Sequence, residues 1–225
     1  MEQGKNRFSC AACRISIRFS SPIFVPEFPS FLERLEAKGY AQTGQLKPPT
    51  PPNMLNFSIE VADQIATKGN IIVDLDTNKQ YLGVQSMKTD QVIQPYSEVK
   101  ELFFADNGKL VNKIWFYEFQ ASHRYSSISS AIKGISKSAG DMKLIPEISK
   151  IMGQKISVRG ITLSSFNADP NTEEYIDLNI NPDLNDSSFY NVITIYRNKD
   201  EKNVLKFAEN STENLKSILE TIDES

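Results

Sequence analysis

The feature that most limits what this chain can fold into is a two-residue alternation of apolar and polar side chains that returns along its length. Arg14-Ile15-Ser16-Ile17-Arg18-Phe19 sets the isoleucines and the phenylalanine on one side of an extended backbone and two arginines and a serine on the other. Successive side chains of a strand point to opposite faces, so the pattern predicts a strand in a sheet covered on one side only. Leu55, Phe57, Ile59 and Val61 alternate again, and residues 71–76 and 80–87 read as a hairpin around Thr77-Asn78-Lys79. Further strands are predicted over 111–119, 156–163, 175–180 and 189–196, with a short one at 204–207.

Between these stretches the period changes to that of a helix. Phe28, Phe31, Leu32 and Leu35 share one face, and Gly39 stands where the helix should stop. Val92, Tyr96, Val99 and Phe103 form a second stripe behind the capping residues Thr89 and Asp90, with Gly108 beyond its end. Ile128, Ile132 and Ile135 mark a third helix, and residues 146–152 a short fourth ended by Gly153. Leu215, Ile218, Leu219 and Ile222 line a last helix capped by Ser211 or Thr212. Four prolines in Lys47-Pro48-Pro49-Thr50-Pro51-Pro52 make an extended spacer.

Runs of strands with short connections and occasional helices predict an α+β fold, a mostly antiparallel sheet with helices on one face. The order strand, helix, three strands, helix is stated twice, which divides the chain into pseudo-repeated halves, 1–109 and 110–225, able to pack as one continuous domain. Net charge follows the same rhythm: +3 over 1–50, −3 over 51–110, +5 over 111–160 and −8 over 161–225. In outline the order resembles the saddle-shaped TATA-binding fold, but none of that family's motifs occurs and no function follows from it.

A formal charge of −3 removes the whole-chain basic excess that non-specific nucleic-acid binding needs, so nucleic acid is not an expected partner. No apolar run approaches the length of a membrane span, and the first eight residues lack a signal peptide's apolar region, so no membrane partner and a cytoplasmic location are expected. The only cysteines, Cys10 and Cys13, form a single C-x-x-C. With one histidine in the chain they cannot complete a four-ligand zinc site unless an oligomer shares it, and no cofactor is expected. They read as reduced thiols where the first strand begins.

Three constellations carry weight. Asp74 and Asp76 end an apolar strand with two carboxylates on one face, a pair able to aim at one Mg²⁺. The string resembles the Asp-x-Asp-x-Thr motif of haloacid-dehalogenase phosphatases, with Thr77 one place early; the alternative is two acids at a hairpin tip. Trp115, Tyr117 and Phe119 point one way from the aromatic strand, and with Arg124 they form a candidate partner-binding surface; the alternative is a central strand covered on both sides. Arg14 and Arg18, together with Lys155 and Arg159, are expected on the uncovered sheet face as a basic patch. His123, at a strand's exit, has no neighbouring motif that would make it a general base.

No phosphate loop, dinucleotide fingerprint, nucleophile elbow or zincin motif is present. The chain therefore reads as a binding protein without an active site, working through protein contacts or self-association. The alternative is a small apolar ligand, because residues 111–222 resemble in order the helix-grip proteins that hold such molecules between sheet and helix. A Mg-dependent phosphoryl-transfer enzyme using Asp74 and Asp76 is a third expectation.

Overall fold

The computed structural model describes residues 8–23, 25, 27–43, 64–127, 130–138, 144–155, 157–165, 172–183 and 185–224. The proline spacer, the alternating segment 55–61 and Ile128 lie outside the described residues. In chain order the elements are β1 (Phe8–Phe19), α1 (Phe28–Ala37), β2 (Ala41–Gln42), β3 (Gln64–Lys68), β4 (Ile71–Asp76), β5 (Tyr81–Ser86), α2 (Ile93–Asn107), β6 (Ile114–Ser126), α3 (Ala131–Ser138), α4 (Leu144–Ile151), β7 (Ile161–Ser164), β8 (Tyr175–Pro182), β9 (Phe189–Asn198) and α5 (Glu201–Glu224). The fold is α+β, as expected.

All nine strands join one antiparallel sheet in the order β2-β3-β4-β5-β1-β6-β9-β8-β7. The pair β1–β6 forms its centre, with the earlier strands fanning to one side and the later ones to the other. Two adjacent rows across the strands show why the faces differ. Val73, Val84, Ile15, Phe119 and Tyr196 stand in one row, and all are apolar. Asp74, Gly83, Ser16, Glu118 and Arg197 stand in the next. Because neighbouring residues point to opposite faces, the apolar row meets helices and the polar row does not.

On the covered face, Phe28, Phe31, Leu32 and Leu35 of α1 and Tyr96, Val99 and Phe103 of α2 bury against β1 and β3–β6. Val204 and Ala208, at the start of α5, close the same cluster. A second cluster packs Ala131 and Ile135 of α3 and Leu215, Leu219 and Ile222 of α5 on β8 and β9. Gly39 ends α1 with φ +83°, a left-handed conformation that glycine adopts freely, and turns the chain into β2. No helix among the described residues is long and apolar enough to cross a membrane.

Several expectations are corrected. Residues 204–207 are helical, because Val204, Ala208, Ser211, Leu215, Leu219 and Ile222 recur every three or four residues and bury as one stripe. Ser211 and Thr212 therefore lie inside α5, and Asp200 supplies the N-terminal contact, its Oδ1 accepting the Lys202 N–H at 2.9 Å. Thr89 and Asp90 sit in a 3-10 turn ahead of α2 and make no cap. Thr89 instead meets Thr212 through their hydroxyls at 3.0 Å. β6 starts at Ile114 and runs to Ser126, which places His123 within the strand rather than at its exit. The strand expected over 156–163 begins only at Ile161. The backbone ahead of it is held by α3, where the Ser136 hydroxyl donates to the Val158 carbonyl at 3.1 Å.

Candidate interaction face

The sheet face opposite the helices is organised around one acid. Glu118 of β6 is fully buried, and three arginines from the two flanking strands converge on it. Arg18 of β1 lies 3.1 Å from Oε1, Arg197 of β9 lies 2.6 Å from Oε2, and Arg14 of β1 stands 3.9 Å away. Arg14 donates to Gln120 Oε1 at 2.6 Å, and Gln120 donates in turn to Glu118 at 3.0 Å. A buried carboxylate needs this company, since an ion taken out of water is stable only when paired and hydrogen-bonded.

Aromatic rings complete the layer. The guanidiniums of Arg14 and Arg18 lie over Tyr81 of β5 at 5.3 and 4.8 Å, and Arg197 lies over Phe116 and Tyr175 at 5.1 and 5.3 Å. Gly83, opposite Ser16, leaves the space that Arg14 crosses: a β-carbon there would come within 3.3 Å of the Arg14 Cδ. Three cations share the one buried carboxylate of Glu118, while Asp74 and Asp76 stand on the same face beyond Tyr81. The Nε–H groups of Arg14 and Arg18 have no acceptor. Both side chains retain about a fifth of their surface, at 21% and 23%.

Beside this cluster is a depression of about 260 Å³, with Ala12, Gln120, Ser122, Ile193 and Ile195 on its floor and Arg14 at its rim. Ile193 is 50% exposed, an apolar side chain in the middle of a polar sheet face.

The expected basic patch is thus divided. Arg14 and Arg18 occupy the uncovered face, whereas Lys155 and Arg159 lie in irregular chain ahead of β7 and do not join them. The aromatic surface is divided too. Phe119 is buried against Phe207 of α5, with ring centroids 5.9 Å apart, and Tyr117 packs at the edge of the same core. Burial, with Glu201 and Asp200 nearby, raises the Tyr117 phenol above its ordinary value. Trp115 remains 39% exposed at the rim of a separate cleft that also holds Glu173 and Lys199. Arg124 points to the opposite face, paired with Asp183 at 3.1 Å and lying over Phe189 at 3.8 Å. The four do not share one surface.

Glu118 and Arg197 escaped the sequence reading. Their signal was a charge in phase with the polar side of its strand: Glu118 alternates with Gln120 and Ser122, and Arg197 stands two residues beyond Ile195. Which charges meet depends on strand order, which alternation does not encode.

Asp74 and Asp76 are nearly buried at the β4–β5 hairpin. Asp74 accepts from the Gln85 amide, while Asp76 accepts the Lys79 N–H at 2.7 Å and pairs with the Lys79 ammonium at 3.2 Å. Among the described residues no three His, Cys, Asp or Glu side chains are grouped to hold a metal ion.

On the covered face, a groove of about 390 Å³ opens between β8, β9 and α5. Its wall is apolar, with Ile176, Leu178, Phe207, Leu215 and Ile218. The Thr194 hydroxyl, 1% exposed, faces into it without a hydrogen-bond partner.

No protein-family model matches the chain, and no curated protein matches it in sequence.

Proposed function

We propose that the protein is a non-enzymatic, cytoplasmic interaction protein that docks a protein partner on the open face of its sheet. The observation that carries this reading is the set of partly exposed arginines around Glu118 placed beside the half-exposed Ile193. An apolar anchor ringed by partly desolvated arginines is the composition of an interface centre, and its charge suits a segment that presents carboxylates beside a hydrophobic side chain. The acidic total disfavours a polyanionic nucleic acid on the same face.

Photo-crosslinking from position 193, compared with position 216 on the exposed side of α5, tests the proposal. Adducts to a protein, another chain or a second copy, from position 193 alone and lost in Arg14→Ala, are expected. Equal labelling from both positions, or adducts to nucleic acid, overturn it.

The groove under α5 favours a second reading, an apolar small ligand whose single polar group satisfies the Thr194 hydroxyl. A medium-chain fatty alcohol should raise Tm in the wild type and not in Ile218→Trp, which fills the groove. No shift in the wild type removes this reading.

A further inference from the structure

Cys10 and Cys13 belong to one strand, and residues three apart on a regular strand point to opposite faces. Here they do not. The register of β1 against β6 shifts between Cys10 and Ala12, so that Ala11 is bulged out, Cys10 pairs with His123 and Cys13 with Ala121. The bulge turns both thiols and the imidazole toward the same covered face. The bulge thus makes Cys10 and Cys13 neighbours on one face, opposite His123 and Ala121 in turn.

The two thiols are not equivalent. Cys13 is 2% exposed and donates to the Ser86 carbonyl at 3.3 Å. Cys10 is only partly buried. His123 is 1% exposed, its ring lies on Phe8 with centroids 4.7 Å apart, and neither ring nitrogen has a nitrogen or oxygen partner. Cys10 is its cross-strand partner on β1. A buried imidazole without hydrogen-bond partners, set across the strand pair from a thiol, has no structural task that an apolar residue would not do as well.

We propose that Cys10, Cys13 and His123 form a hydroperoxide-responsive dithiol site, with Cys10 the attacking sulfur, Cys13 the resolving sulfur and His123 the positioning residue. In the first step the Cys10 thiolate attacks the outer oxygen of a hydroperoxide. An S–O bond forms and the O–O bond breaks, leaving Cys10 as a sulfenic acid and releasing an alcohol, or water from hydrogen peroxide. In the second step the Cys13 sulfur attacks Cys10, the S–S bond forms, the S–O bond breaks and hydroxide leaves. The proton released to solvent when the Cys10 thiolate forms and the proton of Cys13 end on the released alcohol and water, and the two electrons given up by the sulfurs have reduced the peroxide.

Electrostatics agree with this division of roles. Interaction with the neighbouring Cys13, and then with His123, lowers the Cys10 thiol well below its ordinary value against the opposing effect of burial. The hydrogen bond to Cys10 and burial push Cys13 up, with Asp90 on the turn after β5 adding to the effect.

Intact-mass analysis of the whole chain after brief exposure to equimolar hydrogen peroxide tests the assignment. The wild type should lose two hydrogen atoms, Cys13→Ser should gain one oxygen at Cys10, and Cys10→Ser should not change. His123→Gln should slow the first step by about tenfold while leaving circular dichroism unaltered. The wild-type protein supplies a check that needs no variant. Its alkylation by iodoacetamide should fall by less than about threefold from pH 8 to pH 6, where an ordinary thiol loses about a hundredfold. Oxygen uptake by Cys13 before Cys10, absence of the disulfide in the wild type, or an ordinary pH profile overturns the proposal.

Discussion

Glu118 shows how one side chain can hold three strands. Arg18 is 100 residues from it in sequence and Arg197 is 79 residues away, yet both make ion-paired hydrogen bonds to the same carboxylate. Removing the acid leaves three guanidiniums facing one another in a partly dry layer, so the cost should resemble that of breaking a buried ion pair. Glu118→Gln is expected to lower stability by about 3 kcal/mol in urea unfolding. A loss under about 0.5 kcal/mol would mean that the arginines are held by their aromatic stacking alone. Arg14 and Arg18 were legible in the sequence as polar-face residues because alternation fixes a face. Their shared acid was not, because a face says nothing about which strand lies next to it.

At the scale of elements, α3 approaches β9 most closely at a glycine. A β-carbon at Gly134 would overlap the Tyr190 hydroxyl, which donates to Asp223 of α5 at 2.9 Å. Ser127, where β6 leaves the sheet, meets the same carboxylate at 2.7 Å. Gly134→Ala should therefore destabilise by about 2 kcal/mol. Tyr190→Phe in the same chain should recover part of that loss, since it removes the oxygen in the way; a double-mutant cycle with no coupling would rule out this packing account. α5 invites a second measurement. Asp200→Ala should cost about 1 kcal/mol of thermal stability, while Thr212→Ala, at the expected but incorrect cap position, should cost less. The alternating strands and the stripes of α1 and α2 were readable because their period is strict. The start of α5 was misread because Val204 to Phe207 is a short apolar run, which periodicity alone cannot assign to helix or strand.

For the whole molecule, the β1–β6 pair makes β1–β5 and β6–β9 parts of a single sheet. Tyr96 and Lys100 of α2 also bind Glu201 of α5, at 2.8 and 2.7 Å, so the helical layer is tied across the same line. Unfolding should be one cooperative transition: hydrogen exchange in β4 and β8 should give the same opening free energy, and separate transitions would show two independent units. The class of fold was readable from alternation and short connections, whereas the placement of β1 at the sheet's centre was not, because it depends on pairings between distant segments. That placement has a consequence for synthesis on the ribosome. β1 is made long before either of its neighbours: β5 emerges some sixty residues later and β6 about a hundred. Until then one flank of β1 stays open in the nascent chain, shielded by little more than the repulsion between Arg14 and Arg18 on one growing chain and the same arginines on the next.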